Sequence, residues 1–368
     1  MHRDEDQIGL ARTELYRLQT SCNLSDKNTF DRHQRVIDTW DPEIRDIAST
    51  MHMPVPGNCA TGVLPLSEIN AVAQRCRGGE AYVIGVNEGL FYFVEAMAHI
   101  CAPYFPFTAD PKAALMKDPN GCRLFAALLH SLAGFAEQSP LADLEPSNDQ
   151  QVFTETMGLV MVFYVVAHEY AHVMHGHHEK LNDSRRRIPA GAQLELDEIP
   201  LSQRMEFEAD LTGLLTTLAF SDRKGNRLAL PLWAADFYFV AITFWEQFIT
   251  EVIRPVAQVL RDAAIRQGLD IIMPRSLPPS ETHPPTPVRK AMLRAAMICM
   301  AEGKPTKDLT IGDALRRKPP RNTELDHAYS MADRSTSFIA ALWQLAKEDF
   351  SNLMQTSLTQ KRETKGAV

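Results

Sequence analysis

Leu159-Val160-Met161-Val162-Phe163-Tyr164-Val165-Val166-Ala167-His168-Glu169-Tyr170-Ala171-His172-Val173-Met174-His175-Gly176 holds the most specific pattern in this chain. The apolar run continues into an H-E-x-x-H pattern without a proline. This predicts a long core helix over residues 151–175, stopped by Gly176. Four residues of helix turn through about 400°, so His168 and His172 leave one face, one turn apart. That spacing lets both imidazoles reach one zinc ion. Glu169 lies about 100° around the helix, beside the ion rather than on it, where it can take a proton from a water that the ion activates. Two histidines and a glutamate inside a core helix need partners, because buried polar groups are costly when unsatisfied, and a metal supplies one.

A catalytic zinc takes three protein ligands and keeps a fourth position open. Two residues compete for the third place. Glu206, in Glu206-Phe207-Glu208-Ala209-Asp210, falls on the next expected helix, 203–220, with Ser202 as its cap. Glu206 and Asp210 share a face, so one can bind metal while the other holds the second nitrogen of a ligand histidine. His178 lies ten residues after His168, the spacing of the third histidine in H-E-x-x-H-x-x-G-x-x-H sites, but His175 stands where that pattern wants glycine. Glu208 points about 200° away from Glu206 and is expected in solvent. His175 and His177 read as partly exposed helix-end residues, favoured there by the helix dipole without any metal.

The surrounding chain bounds the function. It has 368 residues, 45% hydrophobic and 23% charged, an ordinary globular composition that excludes disordered, collagen-like and coiled-coil classes. Lys and Arg total 38 against 46 Asp and Glu, a net charge of −8, so a nucleic-acid partner is not expected. The first residues lack an apolar stretch, so no secretory signal is expected. The apolar stretches 157–167 and 228–249 are too short or too interrupted by charge to span a membrane, and both read as buried helices. Six cysteines show no C-x-x-C pairing, which suits reduced thiols in a cytoplasm.

Along the chain, 1–60 reads as a polar amino-terminal segment with one amphipathic helix, and 51–65 as a loop. Residues 61–350 read as one domain with a strand and helix part (61–150), a catalytic part (151–300) and carboxyl-terminal helices (301–350). Residues 351–368 read as a frayed tail. The run 81–86, Ala-Tyr-Val-Ile-Gly-Val, is expected as a strand, followed by a helix over 90–101. An edge position for that strand would let an extended peptide pair along it. Residues 179–200 read as a charged loop, and the prolines between 274 and 287 exclude helix there.

H-E-x-x-H followed by Glu206-x-x-x-Asp210 resembles the gluzincin metallopeptidases. Thr282-His283-Pro284-Pro285-Thr286, with Arg289 six residues after His283, is similar to the segment that follows the E-x-x-x-D helix in CAAX-prenyl-protease and HtpX-like metallopeptidases. The order of the three motifs is also similar to that of the Lit-like phage-exclusion peptidases, which lack obvious membrane spans. The resemblance covers about 159–220 and 281–294. It implies an α+β, mostly α-helical fold: a zincin-like core with a zinc-binding active-site helix and a small antiparallel sheet. It implies His168, His172 and Glu206 as ligands of one Zn2+, Glu169 as general base, Asp210 as the carboxylate behind a ligand and His283 as an oxyanion donor. Arg289 would anchor its segment to carboxylates. The implied activity is metalloendopeptidase action on a cytosolic protein or peptide, in a bacterial or prophage-encoded defence setting. The alternative is a sensory or regulatory zinc-binding domain that does not cut.

Overall fold

The computed structural model describes residues 2–20, 27–76, 80–105, 110–132, 147–179, 195–253, 255, 284–306 and 309–366. The chain divides into two units. The first draws on Met1–Glu95, Met157–Asp236 and Glu281–Tyr329; the second on Ala96–Thr156, Phe237–Ser280 and Ser330–Val368. Residues 2–20 and 27–60 lie in the first unit, and the expected domain 61–350 contributes to both units. The chain is mostly helical with one small sheet, as expected for the α+β class.

The sheet of the first unit has three strands: β1 (Cys59–Leu64), β2 (Ala71–Arg75) and β3 (Tyr82–Asn87). Their order is β1-β3-β2. β3 runs parallel to β1 and antiparallel to β2. Two expectations are corrected here. The sheet is mixed rather than antiparallel. And the strand expected over 81–86 is central, paired on both edges, so no peptide can add to it. Every residue of β3 is buried, as in a strand covered on both faces. The two edges are β1, which lies within the expected loop 51–65, and β2, where no strand was expected.

Two helices precede the sheet. α1 (His2–Thr20) lays Ile8, Leu10, Leu15 and Leu18 against Ala60, Ala81 and Val83. α2 (Lys27–Thr50) buries His33, Ile37, Trp40, Ile44 and Ile47, a three-to-four-residue repeat facing the core. Arg45 of α2 donates to the Cys59 carbonyl at 2.8 Å and pairs with Asp41 at 2.9 Å, which fixes α2 on β1. α3 (Glu88–Cys101) follows β3 directly.

The long helix α6 (Asn148–Met174) comes after two short ones, α4 (Pro111–Lys117) and α5 (Asn120–Leu132). By length and hydropathy α6 could cross a membrane, yet 78% of its most apolar window is buried. A core helix has the same properties. α7 (Glu195–Arg223) begins seven residues before the expected cap, so Ser202 lies within it. α8 (Ala229–Phe248) ends in a π-helical turn, Ile249–Ile253. α9 (Thr286–Ala301) starts inside the proline-rich stretch, because a proline is tolerated in the first helical turn. α10 (Ile311–Arg316) and α11 (Glu324–Gly366) complete the chain, and α11 continues through the segment expected to fray.

Aromatic packing joins three helices of the first unit. Phe163 of α6 stacks on Phe220 of α7 with centroids 4.1 Å apart and meets the edge of Trp40 of α2 at 5.2 Å. Arg294 of α9 pairs with both oxygens of Asp236 of α8 at 2.6 Å. The five described cysteines are free and buried. Replacing Phe163 by alanine removes the ring on which α2 and α7 both rest. Phe163→Ala should cost about 3–5 kcal/mol in a urea titration followed by circular dichroism.

Candidate metal centre

Tyr164, His168 and His172 follow one another at four-residue spacing along one face of α6. Glu206, Asp210 and Gly213 form the matching row on α7. The two helices touch closely where these rows meet. A Cβ at Gly213 would come within 2.9 Å of the His168 Cα and backbone nitrogen. Only glycine permits this approach, and the approach brings Glu206 to the histidines.

His168 Nε2 lies 3.1 Å from His172 Nε2. Glu206 Oε2 is 3.6 Å from the first nitrogen and Oε1 is 3.6 Å from the second. Ligands held about 2.1 Å from a tetrahedral ion stand about 3.4 Å apart, so the three side chains fit one metal. All three converge within 4.8 Å. His168 is 7% and Glu206 5% exposed, which makes this a buried donor set. Histidine nitrogens with one carboxylate are a donor set that borderline divalent metals accept.

Glu206, and not His178, stands with the two histidines. The His178 ring lies near Tyr82 of β3, with centroids 6.0 Å apart. Burial, with Arg75 nearby, lowers the His178 pKa. His283 lies outside the described residues.

Behind this donor set sits a buried polar network. Asp210, 1% exposed, has Oδ1 3.0 Å from His168 Nδ1. It accepts from Tyr164 Oη at 3.0 Å and from Arg289 at 2.8 and 2.6 Å. Arg289 Nη2 also reaches Glu206 Oε2 at 3.3 Å. Arg289 thus anchors the start of α9 to both carboxylates of α7. Burial opposes charge on Asp210, but Arg289 and His168 outweigh it and hold its pKa far below the usual range. Burial likewise opposes charge on His168, yet Asp210 raises its pKa. His172 has no such carboxylate, and burial with His168 nearby pushes its pKa well down, toward the neutral form that ligates metal.

Glu169 leaves the ligand face and reaches the sheet. Its Oε2 accepts a hydrogen bond from the Ala73 amide of β2 at 2.6 Å. Cys76 donates to the Ala81 carbonyl and Asn87 to the Asn70 carbonyl. In an antiparallel ladder, residues alternate between facing the partner strand and facing away. Ala71, Ala73 and Arg75 therefore turn their backbone groups to the outer edge, and one of those amides holds Glu169. Burial raises the Glu169 pKa, Glu206 adds to this, and His168 and the Ala73 amide oppose it.

Sequence reasoning missed a second group. His177 is 1% exposed, not a solvated helix end. Its Nδ1 is 2.9 Å from His172 Nδ1 and its Nε2 is 3.3 Å from Glu208 Oε2. Glu208 is also paired with Arg204 at 2.9 Å. The signal was Gly176: with φ +60 it turns the chain back so that His177 faces α6 and α7. Comparison with protein-family models, curated proteins and solved structures found no match to this chain.

The Asp210 network has a consequence for acid stability. A carboxyl whose pKa is depressed on folding stabilises the protein above its unfolded pKa, about 3.9, and that stability is lost as pH falls toward the folded value. Below about pH 4 the metal-free parent should therefore lose stability more steeply than Asp210→Asn, by up to about 1.4 kcal/mol per pH unit. Urea unfolding at stepped pH measures the two slopes. Equal slopes would show that Asp210 is not held charged.

Proposed function

We propose that this chain is a zinc-dependent endopeptidase of gluzincin type that hydrolyses a peptide bond in a cytosolic protein. The observation that carries the reading is the meeting of His168, His172 and Glu206 with Glu169 beside them, anchored on the edge strand of a sheet. A purely structural zinc is usually closed by four protein ligands and needs no base, whereas three converge here.

Bound Zn2+ would polarise the scissile carbonyl and lower the pKa of a water in the open position. The residues of the chain do the rest. Glu169 takes the proton of the attacking water and passes it to the leaving amine. Its raised pKa strengthens it as a proton acceptor, and the Ala73 amide aims its carboxylate. Asp210 holds His168, and Arg289 holds Asp210 and Glu206, so that the donor set is fixed before an ion arrives. The outer edge of β2, which pairs with no strand among the described residues, runs past Glu169. An extended substrate segment laid along it would meet the outward backbone groups of Ala71.

Glu169→Gln should keep its metal and lose hydrolysis. Neo-termini produced in bacterial lysate by the parent and absent with Glu169→Gln would give both substrate and cleavage rule. Equal peptide patterns would refute the reading. Glu206→Ala should lose zinc by metal analysis while His178→Ala retains it; the reverse would move the third ligand to His178. Ala73→Pro deletes one outward amide without breaking the ladder to β3, because proline is tolerated at such edge positions. It should keep fold and zinc yet lower kcat by about 10-fold or more, as expected when a general base loses its positioning. Growth of a bacterial host should fall with the parent and recover with Glu169→Gln if the peptidase serves phage exclusion.

A further inference from the structure

The peptidase reading leaves His175, His177 and Glu208 without a role. Each of these brings one ligand atom to within 4.8 Å of the others. The 3.3 Å between His177 Nε2 and Glu208 Oε2 matches the spacing of neighbouring ligands on a tetrahedral ion, about 3.4 Å. The rings of His175 and His177 lie parallel at 9°, with centroids 5.2 Å apart, on either side of Gly176. His175 Nε2 is 2.8 Å from the Thr212 hydroxyl. Arg204 occupies Glu208 Oε1, which leaves Oε2 turned to His177. His177 is buried, whereas the Glu208 side chain keeps 31% exposure, so an ion can enter from that side.

The two donor triads are not independent. His172 Nδ1 and His177 Nδ1 stand 2.9 Å apart, a gap that holds one hydrogen. A neutral imidazole carries its hydrogen on one nitrogen and a lone pair on the other. When His172 binds metal through Nε2, its hydrogen sits on Nδ1 and is donated to His177. The hydrogen of His177 then sits on Nε2, pointing at Glu208, and leaves no lone pair there for an ion. When His177 binds metal through Nε2, the pattern reverses, and Nε2 of His172 carries the hydrogen.

We propose that His175, His177 and Glu208 form a second site for a divalent cation of the zinc class, and that the single hydrogen between His172 and His177 makes the two sites mutually exclusive. The chain then holds one ion although it carries two triads. The proposal rests on His168, His172 and Glu206 being a metal site. The test is a metal count that does not depend on activity. Chelator-treated parent and variants are equilibrated with Zn2+, or separately with Co2+, passed through a desalting column and analysed for bound metal. The parent and His175→Ala should each retain one ion per chain. His168→Ala should also retain one, now in the second site, and His168→Ala/His175→Ala should retain none. Glu206→Gln closes the first site by another route should His168→Ala fail to fold. Two ions in the parent would overturn the exclusion. One ion in the parent but none in the folded first-site variants would overturn the second site alone, and an ion kept by the double variant would place it elsewhere. No ion in the parent would overturn the peptidase reading itself.

Discussion

The buried carboxylate of Asp210 is the contact on which the first unit depends. It meets Tyr164 and His168 from α6 and Arg289 from α9 while sitting on α7. A charge taken out of water is tolerated only when its lone pairs are filled, and leaving one such partner unpaired typically costs about 3–5 kcal/mol. The three helices are therefore constrained to one mutual arrangement. Gly213, one turn after Asp210, allows the close crossing that this arrangement requires. Glu206, one turn before it, is carried to the two histidines as a consequence. The candidate donor set follows from the packing of a polar network and not from the histidines alone.

The sheet enters the site through a single amide. β3 is central and spends its backbone groups on β1 and β2. β2 has one side left, and Ala73 uses it to hold Glu169. The fold thus links the group proposed to move the proton to the edge where a peptide would lie. A shift of β2 by one residue would turn Ala73 inward, because strand residues alternate direction. The pairing register of β2 is therefore as important to Glu169 as any side chain.

Much of this was legible in the sequence, for reasons that differ by residue. α6 announces itself by a long apolar run ending in glycine, and the four-residue spacings of His168–His172 and Glu206–Asp210 place each pair on one face whatever the fold. The anchoring role of Arg289 was implied only by the resemblance of the segment around His283, and its partners Asp210 and Glu206 come from the structure. β1 and β2 were not legible. β1 contains Gly62 and follows Pro54, Pro56 and Gly57, local loop signals that were outweighed by non-local pairing with β3. His177 was read as a partly exposed helix end, whereas the left-handed Gly176 turns it back until it is buried and reaches Glu208. A left-handed residue redirects everything after it, and the tertiary contact that results has no local signature.

The two histidines of the candidate donor set are held by unlike partners, and in the proposed metal site this difference would set how firmly each is committed to an ion. His168 faces a carboxylate, which only accepts hydrogen bonds, so its Nδ1 keeps the hydrogen and its Nε2 stays open to an ion. His172 faces His177, which can accept or donate. Its tautomer is therefore decided one residue further away. Glu208 accepts from His177 Nε2, which turns the His177 Nδ1 lone pair toward His172 and opens the His172 Nε2 to metal. The Arg204–Glu208 pair tunes this link, since a carboxylate engaged by a guanidinium accepts less strongly from the imidazole. In the proposed first site, commitment of His172 would in that way be controlled from the half-exposed surface of α7, about half a turn from Glu206.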